Sequence, residues 1–149
     1  MKKLVLFISV LAAFAITSCS DDDNSGGGRK SIVTAKINGV PTVLDRVTVD
    51  EEIYPDYIDL RIKALNLNDD DNWLEFVVES DAEVGVYEPW FFSYYVDMEW
   101  YYQDPMVNMT ITENSEDKLT GTFSGSFQYW DEDIDDLIEI TEGEFTIYK

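Results

Sequence analysis

The sequence predicts an all-β domain, a single antiparallel β-sandwich with a closed β-barrel as the alternative. Three observations predict it. Apolar residues recur at every second position through most of the chain, which places them on one face of a strand. Clusters of Asn, Asp, Gly and Ser break these runs at short intervals, where hairpins turn. No 3.6-residue apolar repeat of useful length follows the N-terminal segment, so no helix is available to cover a sheet.

The elements follow in order. Val33, Ala35 and Ile37 alternate with Thr34, Lys36 and Asn38, and Asn38-Gly39 then has the composition of a tight hairpin turn. Ile58, Leu60, Ile62 and Ala64 form the next clear face, followed by Leu74, Phe76 and Val78, then Val107, Met109 and Ile111. Turn-rich clusters at residues 66–72, 80–83 and 113–118 separate them. Near the C-terminus Phe123, Phe127 and Tyr129 share a face, with Gly125 keeping their parity. Ile138 and Ile140 share another, but Phe145 and Ile147 have the opposite parity. One extra residue must be absorbed between them, and Glu142-Gly143-Glu144 is the expected β-bulge, since glycine accepts a positive φ. The expected total is eight to ten strands.

The N-terminus carries a different signal. Lys2 and Lys3 precede thirteen residues, 4–16, of which only Ser9 is polar. This run has the length of a signal-peptide core and falls well short of the roughly 20 residues that cross a bilayer as a helix. It ends in Ile16-Thr17-Ser18-Cys19, which resembles a lipobox. That resemblance implies cleavage between Ser18 and Cys19 and acylation of the Cys19 thiol, giving a membrane partner through the N-terminal lipid. Each buried methylene contributes about 0.8 kcal/mol, so two or three chains hold almost permanently. Cys19 is the only cysteine, which rules out an intramolecular disulfide. Ser20, Asp21, Asp22 and Asp23 then resemble the acidic export signal of Bacteroidota-type lipoproteins, which implies an outer-membrane protein exposed at the cell surface. The expected organisation is a signal peptide over residues 1–18, a lipidated, acidic and glycine-rich tether over 19–30, and one β-domain over 31–149.

Composition narrows the function. The chain has 31 acidic and 10 basic residues, a net charge of −21, which makes nucleic acid a poor partner. It contains no histidine, so Ser-His-Asp and Cys-His catalysis and HExxH metal sites are absent. Residues 34–39 (TAKING), 119–125 (LTGTFSG) and 140–145 (ITEGEF) resemble uncharacterised Bacteroidota lipoproteins of a domain-of-unknown-function type. The resemblance covers turns and strands at both ends and implies fold and compartment; it carries over no catalytic residue.

Two constellations are candidates for binding. Residues 87–102 contain nine aromatics in sixteen positions. Read as one alternating stretch, Trp90, Phe92, Tyr94, Val96, Met98, Trp100 and Tyr102 form a core face. Phe91, Ser93, Tyr95, Asp97, Glu99, Tyr101 and Gln103 form the other. Exposed rings stack on sugar C–H faces while carboxylates accept hydroxyl hydrogen bonds. Phe91, Tyr95 and Tyr101 are therefore the expected ligand-binding rings, with Asp97 and Glu99 as polar partners. The alternative is packing against a partner or a second layer. Asp131, Asp133 and Asp135, with Ile138 and Glu142 at the eighth and twelfth places, match the spacing of a calcium loop. Asp136 stands where that loop turns on glycine, and Ile138 to Glu142 is needed as strand. Ca²⁺ is thus the only cofactor candidate, and the competing reading is a charged hairpin that keeps an edge soluble. The leading expectation is a non-enzymatic surface lipoprotein that binds a glycan or an envelope protein. Its alternatives are a structural accessory subunit of an envelope complex and a carboxylate- or metal-dependent hydrolase.

Overall fold

The computed structural model describes residues 29–103, 107–130 and 136–149. Ser18, Cys19, Ser20, Asp21, Asp22 and Asp23 lie outside the described residues, as do Asp131, Asp133 and Asp135. The described residues form eleven strands and no helix: β1 (Ile32–Ile37), β2 (Val40–Leu44), β3 (Arg46–Ile53), β4 (Ile58–Asn66), β5 (Asp69–Glu79), β6 (Gly85–Tyr87), β7 (Phe92–Val96), β8 (Glu99–Gln103), β9 (Asn108–Asn114), β10 (Lys118–Tyr129) and β11 (Leu137–Tyr148). The all-β antiparallel class is as the alternation predicts. The short β6 and the division of one strand into β2 and β3 bring the count to eleven, against the eight to ten expected.

The strands form one sheet in the order β2-β1-β11-β10-β8-β7-β5-β4-β3, nearly closed into a barrel. Nine antiparallel positions give its two terminal strands the same direction, and only Asp45 separates them in sequence. β2 and β3 are thus halves of one bent strand, the first paired to β1 and the second to β4. Side chains fasten the bend: Asn66 Nδ2 donates to the Val43 carbonyl at 3.1 Å, and the Asp45 carboxylate accepts from the Leu67 amide at 3.2 Å. Lys30 Nζ, 2.9 Å from Asp45 Oδ2, does most to hold that carboxyl below its ordinary pKa. Along β10 the wall divides, with β9 on its first half and β8 on its second.

Opposite walls meet in an aromatic core, packed as the layers of a sandwich are. Phe76 of β5 lies 5.1 Å from Phe92 and 5.3 Å from Phe145, and Phe92 lies 5.3 Å from Phe127 (ring centroids). The faces read from the sequence supply the rest: Val33, Leu60, Ile62, Leu74, Met109 and Ile111 are fully buried.

The expected bulge lies in β11. Its ladder to β10 shifts register between Phe123, paired to Gly143, and Gly125, paired to Ile140. The slip lets Ile138, Ile140, Phe145 and Ile147 all be buried. The positive φ, however, belongs to Glu142 at 50° and not to Gly143. Glycine is required at 143 for space, because a Cβ there would sit 2.6 Å from both the Phe123 ring and its carbonyl oxygen.

Candidate functional site: the outward aromatic face of a hairpin

Residues 87–102 are not one alternating strand. β7 and β8 are joined by the two-residue turn Asp97-Met98, with φ of 52° and 69°. Positive φ at both central residues is the hairpin geometry whose twist matches that of the strands. The Asp97 amide also donates to Asn72 Oδ1 at 3.1 Å. A two-residue turn reverses the parity relation across it, because paired residues share a face. Tyr94 pairs with Tyr101, and Tyr95 with Trp100.

This corrects the sequence-based assignment. Tyr101, expected in the exposed set, faces inward and is only 5% exposed. Its hydroxyl donates to Asp136 Oδ2 at 2.7 Å, and burial, then that carboxylate, raises its pKa. Trp100 and Tyr102, expected in the core, face outward, with Tyr102 42% exposed. Trp90 and Met98 are also exposed. Phe92 and Tyr94 are buried as expected, while Phe91 and Tyr95 are half-buried. Asp97 and Glu99 are exposed at the turn.

The outward rings form a continuous strip across β5, β7 and β8. Trp73, cross-strand from Tyr95, stacks on it at 3.9 Å and 21°. Trp100 meets Tyr95 edge-to-face at 4.9 Å and Trp73 at 5.5 Å. Tyr102, two residues along β8, lies parallel to Trp100 within 9° at 6.1 Å. Such pairs add about 0.5–1.5 kcal/mol beyond the area they bury, which fixes the rings.

Two cations border the strip. Lys63 Nζ sits 3.6 Å from the Trp73 centroid, and the Arg61 guanidinium 5.3 Å from that of Phe91. Arg61 also bridges Glu52 at 2.6 Å and Glu75 at 2.7 Å, and its bond to Glu52 is the main cause of that carboxyl's lowered pKa. Beneath the rings Ser93 is fully buried, and neither its Oγ nor Trp73 Nε1 has a hydrogen-bond partner among the described residues.

Three shallow grooves lie elsewhere. One, about 430 Å³, is lined by Asn108, Thr122, Gly143 and Glu144; a second, about 440 Å³, by Glu51, Ser80, Asn114 and Lys149; the third follows residues 53–58. None of these three grooves is lined by the rings of the strip. Of the calcium-spaced residues, Ile138 is buried in the core, and Glu142 is a strand residue 2.6 Å from Lys36 Nζ. The last positions of that spacing are strand residues, as the sequence reading of 138–142 requires. Among the described residues no three His, Cys, Asp or Glu side chains are grouped to hold a metal.

One signal for the reversed faces was available in the sequence: sixteen residues is far longer than a typical strand of about 5–6. Nothing in the sequence marks Trp73, because it stands outside the aromatic run and joins it through β5–β7 pairing. No protein-family model matches the chain, no curated protein matches its sequence, and no solved structure matches its fold.

Proposed function

We propose that the protein is a non-catalytic binding module, held at the outer surface of the cell by lipid on Cys19, with the outward strip as its ligand surface. The observation that carries the reading is the pair of parallel rings of Trp100 and Tyr102, kept at the surface of a barrel whose core is complete without them. The acidic residues of the chain keep such a domain solvated and repel nucleic acid. The favoured ligand is a glycan, whose C–H faces stack on rings and whose hydroxyls bond to polar groups at their margin.

The test is binding of purified full-length protein to a panel of polysaccharides, beside Trp100→Ala, Tyr102→Ala. Binding by the wild type and loss in the variant support the proposal; no binding to any polysaccharide sinks it. The exposed apolar area at Trp90, Met98 and Tyr102 supports a second reading, an accessory subunit whose strip is covered by an envelope protein. Co-purification of one stoichiometric partner, lost in the same variant, distinguishes it. For the anchor, Cys19→Ala is expected to abolish metabolic acyl labelling, and persistent labelling contradicts it.

A further inference from the structure

We propose that the tip of the β3–β4 hairpin, Ile53 to Tyr57, docks on a zwitterionic lipid surface and stands the barrel on the membrane, an inference that rests on the lipid anchor at Cys19.

The tip is apolar where a hairpin turn is ordinarily polar. Ile53 is 75% exposed, and Tyr54, Pro55 and Tyr57 beside it are exposed as well. The two tyrosine rings stack at 4.7 Å and 18°, and the Tyr54 amide donates to the Tyr57 carbonyl at 2.9 Å. The Tyr54 hydroxyl donates to Glu52 Oε2 at 3.1 Å, and Arg61 holds Glu52 in turn. The rings are thus set before any partner arrives, so little conformational freedom is lost on contact. None of these apolar side chains belongs to the core. Tyrosine suits headgroup depth, with an apolar ring and a polar hydroxyl. The Asp56 carboxylate, also exposed, keeps the tip at that depth and out of the hydrocarbon.

Position makes lipid the occupant. Arg29, where the tether meets the barrel, pairs with Asp117 and lies over the Tyr148 ring. Lys149 Nζ reaches Asn114 Oδ1 at 2.6 Å and the Ser80 carbonyl at 3.3 Å. Ser80 and Asp81 line a groove with residues 53–58. The tether and the tip therefore share one end of the barrel. From there β4 runs nine residues, roughly 30 Å, from Ile58 to Asn66. Near its far end Asn72 holds the Asp97-Met98 turn. Nine residues separate Cys19 from Arg29, so anchoring gives the tip a roughly millimolar effective concentration at the bilayer. A contact too weak to recruit the domain from solution then suffices to orient it. Glu51, Asp56 and Asp81 around the tip repel anionic headgroups, so a zwitterionic surface suits it best. Docking points the turn of the aromatic hairpin away from the membrane.

The experiment is fluorescence of the lipidated full-length protein in phosphatidylcholine vesicles. Acylation consumes the thiol of Cys19, the only cysteine, so Pro55→Cys or Met98→Cys supplies one site for an environment-sensitive dye. Nitroxide-headgroup lipid is expected to quench the dye at 55 about threefold or more as strongly as the dye at 98. Adding Ile53→Ser and Tyr57→Ser, both at exposed positions, is expected to cut quenching at 55 by about threefold. Phosphatidylglycerol mixed into the vesicles is expected to weaken it at low salt, and a strengthened signal overturns the zwitterionic assignment. Equal quenching at the two ends, or quenching unchanged by the serine substitutions, overturns the proposal while leaving the anchor standing. A dye response at 55 that follows protein density instead of nitroxide lipid assigns the tip to a second copy and also overturns it. A Cys19 that carries no acyl chain by mass overturns the anchor and the docking together.

Discussion

The two faces of the β7–β8 hairpin are equally aromatic, yet different neighbours hold them. Inward, Phe92 packs against the rings of Phe76, Phe123 and Phe127 from two other strands, β5 and β10, and Tyr94 and Tyr101 are buried beside it. Outward, Tyr95, Trp100 and Tyr102 touch chiefly one another and Trp73. The inward rings tie distant parts of the chain together, so fold stability depends on them. The outward rings are ordered by local contacts and leave area facing solvent. Hydrophobicity alone does not separate the two roles. Strand pairing separates them, through one two-residue turn.

Truncation on the two sides should separate them most sharply. Phe92→Ala is expected to lower unfolding free energy by about 3–5 kcal/mol, and Tyr102→Ala by no more than about 0.5 kcal/mol. Urea denaturation measures both, and equal losses would erase the distinction. The next effect concerns the ring wall that Phe92 packs on. Gly143→Ala pushes a methyl into the Phe123 ring and backbone, with an expected loss of about 1–3 kcal/mol. An unchanged denaturation midpoint would show that the bulge has room to spare.

A pH experiment probes the inward side. The Tyr101 phenol, buried and bonded to Asp136, has its pKa raised in the fold. Above the ordinary tyrosine value of about 10 the unfolded chain loses that proton while the native state keeps it. The stability linked to Tyr101 is therefore present below that pH and declines as pH rises past it. Tyr101→Phe should flatten this part of the alkaline slope, and an identical slope would contradict the buried placement. The smallest effect tests the turn itself. Met98 is 82% exposed and holds a φ of 69°, so Met98→Gly removes backbone strain at little cost in burial. A gain of about 0.5–1 kcal/mol is expected, and a loss would argue against the reversed turn.

These particulars show why the fold was more legible than the site. The parity conflict between Ile140 and Phe145 is visible in the letters, so the bulge could be located, and Asn38-Gly39 carries the composition its positive φ values demand. Asp97-Met98 adopts the same sign of φ without either residue, because strand twist and the Asn72 contact outweigh intrinsic preference. Without a turn signal in the letters, simple alternation places every ring beyond residue 98 on the opposite face. Phe91 and Tyr95, before the turn, keep the outward side expected of them; Tyr101, beyond it, does not. The bend at Asp45 was also hidden, since neither glycine nor proline marks it and its stabilising contacts come from Lys30 and Leu67.

On the proposed reading the outward rings bind and the inward rings fold. The most direct measurement is a paired titration and thermal melt of full-length protein with a polysaccharide that it binds, comparing Trp100→Ala, Tyr102→Ala with Tyr101→Ala. The outward pair should lose the ligand while keeping its melting temperature, and the inward variant should melt earlier while retaining affinity below its melt. Retained binding in the outward pair, or a drop in its melting temperature as large as that of Tyr101→Ala, would contradict the account.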